Sequence, residues 1–459
     1  MNVHPFPTPP EVPIVCGLCG LEGCDDPLHV PPPPGTFFDS KVGLLAQTLV
    51  AAVEERVRFA VDDSGRLYRY RDGVWCADGA DAVRRVTAFL LGNRYRLAHG
   101  ATAAELVRIR EPFFTDATLD TQYLNLPNGL LDWRTATLQP HRPEVPSAIR
   151  FPVPWNAAAT CPVIDAWLDA VLPFDGGRDF AHEVIGYGLL NDNPLHRCAA
   201  LYGSGRNGKG TFLRLLRALA GDANCAAVSP QSLDENRFRS AELWGKALNL
   251  IGDVDPRTFR ATETFKQATG GDVLMAERKH GHPFQFLCRA LLVAGFNALP
   301  RTADTSEGFF SRWIVVPFTQ YFPPGVADVT LKDRLTTPSE LQGLLVQAVA
   351  GLQRVMERRD FLLPEAVQAA TTQYRQTADT VRLFATDQLT TAASDAFAPR
   401  TPIYKRYRGW AEANGYKPIS AGSFYDQLDA CAAATLGAPL VSHMRNGVRG
   451  FLGIDLCEP

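Results

Sequence analysis

The chain has 459 residues, more than one ordinary domain holds, and a prior of about three domains follows. Its 46% hydrophobic and 21% charged residues are those of a soluble globular protein, and no apolar run approaches the ~18 residues of a membrane span. A net charge of −3 excludes a global basic field, so any nucleic-acid contact must rest on a local basic surface. The excess of arginine over lysine, 38 to 8, reads as the mark of a GC-rich coding sequence. The first residues, MNVHPFPTPPEVP, have the form of neither a signal nor a transit peptide, so a cytoplasmic chain is expected.

Of the ten cysteines, seven are scattered singly and are expected to be reduced and packed. The other three open the chain's first motif, Cys16-x2-Cys19-x4-Cys24-x4-His29. These ligand types at this spacing predict a small structural Zn²⁺ site, similar to a zinc knuckle with the third and fourth ligand types exchanged. The glycines at 17, 20 and 23 permit the tight turns that four ligands on one tetrahedron need. Pro31 to Gly35 then reads as a stiff linker, so residues 1–35 form a tethered module.

Residues 36–155 read as a mixed α+β domain. Val42 to Val57 has helical spacing, Leu67 to Trp75 a hairpin pattern across Asp72-Gly73, and Asn128-Gly129 is a second strong turn. The tyrosines and tryptophans here are expected in the core. Residues 156–196 read as a helical connector, with two helices between Cys161 and Leu190.

The most informative stretch follows. The apolar run Cys198 to Tyr202 leads into Gly203-Ser204-Gly205-Arg206-Asn207-Gly208-Lys209-Gly210-Thr211, and Phe212 to Ala220 has helical spacing. Strand, glycine-rich turn, lysine and helix predict a P-loop. The backbone N–H groups would face phosphates and Lys209 would reach the β and γ phosphates of ATP. One position departs from the pattern. The hydroxyl expected directly after the lysine, as a Mg²⁺ ligand, is replaced by Gly210, leaving Thr211 or a water to take its place.

Alternating apolar runs and helices continue to about Phe318, which predicts a parallel α/β sheet over 197–325. Ala247 to Asp253 is a buried strand ending in an acid, with Asp255 beyond it. Asp253 is the first candidate for holding Mg²⁺ and Asp255 for activating the attacking water, with the reverse assignment left open. Leu291 to Asn297 is a third buried strand with an amide at its end. Arg312, before the apolar run to Phe318, is placed to stabilise charge on a neighbouring subunit's ATP. Residues 326–384 read as helical, with helices at Ser339 to Val355 and Leu363 to Phe384. In the tail, 385–459, a basic aromatic helix (Pro402 to Trp410), a Ser420-capped helix and an Asn-Gly hairpin (Met444 to Phe451) predict a winged helix-turn-helix. It could set Lys405, Arg406, Arg408, Arg445 and Arg449 on DNA.

Taken in order, the Lys209 loop, Asp253, Lys266-x2-Thr269-Gly-Gly-Asp272, Glu277-Arg-Lys279, Asn297-x2-Pro300 and Arg312-Trp313 resemble the superfamily III helicase module of phage and plasmid primase-helicases, a family that includes the poxvirus primase-helicase. Asn128-Gly-Leu-Leu-Asp132 resembles the domain before the helicase in that family. The resemblance covers about residues 40 to 459. It implies an AAA+ fold, a hexameric ring, and 3′ to 5′ translocation on single-stranded or forked DNA. By the same resemblance Asn297 is the sensor residue and Arg312 the arginine finger, and Lys279 and His280 lie near the tip of a hairpin that grips DNA phosphates. Aspartates stand where a glutamate is the usual water activator, which predicts slow hydrolysis. Only the cysteine module and linker precede residue 36, so a helicase without an attached primase is expected, with any primase or polymerase partner on a separate chain. The alternatives are an ATP-gated DNA-binding or origin-loading factor, and a defence ATPase without unwinding activity.

Overall fold

A computed structural model describes residues 30–62, 64–110, 121–235, 237–254, 262–278, 283–300, 302, 304, 306–323, 328, 330–414, 416 and 418–457. The predicted zinc ligands Cys16, Cys19, Cys24 and His29 lie outside the described residues, as do Asp255, Lys279 and His280. Among the described residues seven cysteines are free thiols, five of them buried, as expected of packed, reduced residues. Among the described residues no helix is long and apolar enough to cross a membrane.

The chain divides into two compact units, residues 1–130 with 138–150, and residues 131–137 with 151–459. In the first, helices Ala46–Arg56, Gly79–Leu91 and Leu97–Arg108 bury Leu49, Val53, Val83, Leu90 and Val107 in one core. The antiparallel strands Phe59–Val61, Leu67–Arg71 and Val74–Cys76 form one sheet. Asp72 and Gly73 both have positive φ, 51° and 80°, the two-residue turn that matches strand twist. Tyr68 and Trp75 are buried, as read from the sequence. At the second turn, a Cβ on Gly129 would come within 2.3 Å of Gln139 O, so only glycine fits there.

The second unit is built on a parallel sheet of five strands: β1 (Cys198–Tyr202), β2 (Cys225–Ala226), β3 (Leu248–Ile251), β4 (Leu291–Phe296) and β5 (Trp313–Pro317). The spatial order is β2-β3-β4-β1-β5, and every neighbouring pair is parallel. Strands β3 and β4 are buried at every residue, as in a sheet covered on both faces, and the one polar side chain among them, Asn249, is paired with the Val228 backbone. Because all strands run one way, Gly203, Asp253 and Asn297 emerge at the same edge. Helices Pro162–Val171 and Gly177–Tyr187 precede β1, and helix Pro338–Arg358 lies against the second of them. That contact is made at glycines. A Cβ on Gly186 would sit 1.9 Å from Ala348 O, and one on Gly351 would sit 2.5 Å from His182 O.

The helix expected from Leu363 to Phe384 is two helices, Glu365–Ala378 and Thr380–Gln388. Asp379 leaves the helical region (φ −81°, ψ 94°), and its carboxylate accepts from Val381 N and Arg382 N, capping the second helix. That second helix packs into the C-terminal core with Phe384 against Tyr407 and Phe424. Helices Arg400–Ala413 and Ala421–Leu436 follow, the latter capped by Ser420 Oγ accepting from Ser423 N. Strands Phe397–Pro399, Val448–Leu452 and Val441–Arg445 make one sheet in that order, and Leu389–Thr391 pairs with Ile454–Leu456. The expected Asn446-Gly447 turn is present, both residues at positive φ.

Candidate nucleotide-binding site

The loop between β1 and helix α1 (Lys209–Ala220) is shaped by close backbone approaches. A Cβ on Gly203 would meet Asn207 Nδ2 at 2.0 Å and Phe318 O at 2.4 Å, so the chain can pass here only as glycine. Asn207 Nδ2 donates to Phe318 O (3.1 Å), and Phe322 N donates to Arg206 O (2.8 Å), which pins the loop to the segment after β5. Gly205, Arg206 and Gly208 all have positive φ, and a Cβ on Gly208 would come 2.8 Å from Val171 Cγ1. Ser204 is exposed. Gly208 offers no side-chain cap to α1. The first N–H groups of that helix therefore face outward with the positive end of its dipole.

Lys209 is 6% exposed. Its ammonium donates to Gly203 O (2.5 Å), Asn207 Oδ1 (3.2 Å) and Asn297 Oδ1 (3.1 Å). All three acceptors are neutral, so the positive charge is oriented and not cancelled. Burial holds the lysine below its ordinary value, with Asp253 acting in the opposite sense. Asn297 Nδ2 in turn donates to Asp253 Oδ1 (3.3 Å). The order of the strands makes this relay: β4, carrying Asn297, lies between the loop strand β1 and the Asp253 strand β3. Close contact between the end of β4 and the chain leaving β3 fixes it. A Cβ on Gly295 would be 2.4 Å from Gly252 O, and Val254 N donates to Gly295 O (2.9 Å).

At position 210 a Cβ would meet nothing within 4 Å, so space is not the reason for glycine. Thr211, half-buried, is the next residue of α1 and points about 100° around the helix from position 210. Among the described residues Asp253 brings a carboxylate to this edge, and no side-chain hydroxyl directly follows the lysine.

Arg312 is not brought to this edge. It immediately precedes β5, and Trp313 is in register with Cys198, the first residue of β1. A five-residue strand, about 16 Å, separates it from the loop end of the sheet. Its guanidinium donates to Gly308 O and Lys266 O. Helix Glu263–Gly270 is held there by Phe265 stacked on Trp313 (5.0 Å, 11°) and by Lys266 and Thr262 on Asp304. Lys279 and His280 were expected between strands Val273–Glu277 and Pro283–Leu287, and Arg278, which directly follows the last strand pair Glu277–Pro283, lies over the rings of Trp244 and Phe284.

In the C-terminal unit Lys405 and Arg408 are exposed. Arg406 Nε donates to Gln388 Oε1 (2.7 Å), and Arg408 pairs with Glu412 (3.7 Å). Arg445 lies over the Phe397 ring, and Arg449 is exposed on the opposite strand of the hairpin. The next helix, Ala421–Leu436, carries no basic residue and exposes Asp426 and Asp429. Sequence reading identified the basic residues but did not separate them from this acidic face. It also missed the clamp of Asn207 on Phe318 and the support of Gly208 by Val171, for which the sequence holds no local signal.

Residues 201–312 match a family of unknown function, DUF5906. Residues 46–173 match the D5 N terminal like family, and 376–434 the Poxvirus D5 protein-like family. A protein of Acanthamoeba polyphaga mimivirus named as a putative helicase is 21% identical over 285 residues, 55% of this chain and 28% of the relative. The chain thus spans well under two thirds of that relative's length. Two apo structures of the NrS-1 C-terminal region align with TM-scores of 0.48, at 8% and 7% identity, covering 89% of this chain and 98% and 99% of theirs. D5-type sequence therefore flanks the parallel sheet on both sides.

Proposed function

We propose that the protein is an ATP-driven replication helicase of the D5-like, superfamily III type, with an AAA+ core and a C-terminal winged helix. The reading rests on one observation, the hydrogen-bonded row Lys209–Asn297–Asp253 across the ends of three adjacent parallel strands. ATP lies along the 203–211 loop. Lys209 takes the β and γ phosphates, exchanging its neutral acceptors for anionic ones. Asp253 holds Mg²⁺ through water, and Asn297 fixes the distance between the two charges. Asp255 activates water. Arg312, at the far end of the sheet, serves the ATP of the next subunit in a hexameric ring. Lys279 and His280 grip single-stranded DNA, and translocation is 3′ to 5′ for a phage, prophage or plasmid. Cys16, Cys19, Cys24 and His29 hold a structural zinc.

The test is steady-state ATP hydrolysis with and without single-stranded DNA, with Lys209→Ala alongside. DNA-stimulated turnover that falls at least about a hundredfold in the variant supports the motor; equal turnover in both removes the P-loop assignment. Gly210 favours a second reading, an ATP-gated origin-loading factor. Under that reading ATP drives assembly and phosphate is not released.

A further inference from the structure

Three side chains outside the nucleotide site converge behind it. Cys161 stands at the N-cap position of helix Pro162–Val171 without capping it, Asp165 lies one turn along the same face, and His182 comes from helix Gly177–Tyr187. The thiol sulfur, a carboxylate oxygen and a ring nitrogen all lie within 4.8 Å of one another. Cys161 Sγ is 3.6 Å and His182 Nε2 3.3 Å from the same oxygen, Asp165 Oδ1. Cys161 is 1% and His182 2% exposed. Yet among the described residues His182 Nε2 makes no hydrogen bond, although it is buried and aimed into the cluster. A buried nitrogen with a carboxylate oxygen at 3.3 Å, but no hydrogen bond to it, leaves its lone pair or proton for a ligand.

We propose that Cys161, Asp165 and His182 bind a zinc-type divalent cation, a site separate from the N-terminal cysteine cluster. Thiolate, imidazole and carboxylate are the ligand classes that zinc takes, and bonds of about 2.0–2.3 Å to one ion set tetrahedral ligand atoms about 3.3–3.8 Å apart. The two separations to Asp165 already fall in that range. A thiolate makes the site unsuited to Mg²⁺ or Ca²⁺. One thiolate and one carboxylate carry the two negative charges that neutralise the ion, which a buried site requires. The fourth position falls to water; Glu340, a buried carboxylate that accepts from Ile164 N (3.0 Å) at the N-terminus of the same helix, stands outside the three-ligand group. The site braces the two helices where His182 O meets Gly351, and the first of them ends in Val171, directly beneath Gly208 of the phosphate loop. The ion therefore stiffens the support of that loop without entering it.

The experiment uses the full chain carrying Cys16→Ser, Cys19→Ser and Cys24→Ser, so that the N-terminal cluster holds no zinc. Metal content is measured after dialysis against zinc, and Co²⁺ is titrated while the thiolate-to-cobalt band in the near ultraviolet is followed. The expected result is one ion per chain and a band, both lost on adding Cys161→Ser or His182→Gln with circular dichroism unchanged. A folded background protein that takes up no ion, or a band that survives Cys161→Ser, overturns the proposal. Should the background protein fail to fold, Cys161→Ser and Asp165→Asn are made in the wild-type chain. Each must then remove one equivalent of zinc, and an unchanged count overturns the site.

Discussion

Gly210 is the residue at which local chemistry and expected function disagree. Open space surrounds it, and glycine within a helix costs about 0.5–1 kcal/mol relative to alanine. Gly210→Ser is therefore expected to fold at least as stably as wild type, by thermal melting. It should also lower the Mg²⁺ concentration that half-saturates ATP hydrolysis, because a hydroxyl then stands beside Lys209. An unchanged Mg²⁺ requirement would mean that Asp253 and water alone hold the metal. Asp304 gives a pH prediction. Burial pushes its carboxyl up, but hydrogen bonds from Ser306, Thr262 and Lys266 outweigh burial and hold it at about 2. A carboxyl depressed on folding contributes stability that is complete above the ordinary value of about 3.9 and is lost as pH falls towards 2. Asp304→Asn is expected to lose stability at neutral pH and to flatten acid unfolding between about pH 4 and 2, read by circular dichroism.

At the scale of elements, the strands and turns were legible because each carries its own signal. The runs Leu248–Ile251 and Leu291–Phe296 are buried throughout and apolar except for Asn249, whose side-chain amide is paired with the Val228 backbone, since both faces are covered. Asp72-Gly73 and Asn446-Gly447 announce two-residue turns because both positions need positive φ. The break at Asp379 was not legible. Apolar spacing continues through it, and only the capping carboxylate divides the helices. In the C-terminal unit the chemistry is divided by element. Helix Ala421–Leu436 presents Asp426 and Asp429, which repel phosphate, whereas the hairpin presents Arg445 and Arg449. DNA binding is expected to depend on the hairpin: Arg449→Ala should weaken affinity across sequences and reduce the salt slope by about one. Asp426→Ala should leave binding equal or tighter in a fluorescence anisotropy titration. Weakening by Asp426→Ala would instead place the helix on the DNA.

At the scale of the whole molecule, Arg312 and the loop of its own subunit stand at opposite ends of the sheet, so one chain cannot hold a complete site under the ring reading. Mixing therefore discriminates. Lys209→Ala and Arg312→Ala are each expected to be inactive alone. Mixed, they should regain part of the ATP turnover, since some subunit boundaries then join an intact Lys209 to an intact Arg312. No recovery in mixtures that co-assemble, checked by size-exclusion chromatography, would assign Arg312 a role within its own chain, where it already ties Gly308 and Lys266.

The glycine-rich loop with its lysine, the strands leading to Asp253 and Asn297, and the basic tail can be read from the chain alone, because each is a contiguous pattern of residue type and period. The tertiary structure decided the order of the strands. That order puts Asn297 between Lys209 and Asp253, through hydrogen bonds spanning 88 and 44 residues of sequence. It also decided the convergence of Cys161, Asp165 and His182, and the division of the C-terminal unit into basic and acidic elements. Parallel pairing and helix packing join residues far apart in the chain, and no local pattern encodes which partner each will meet.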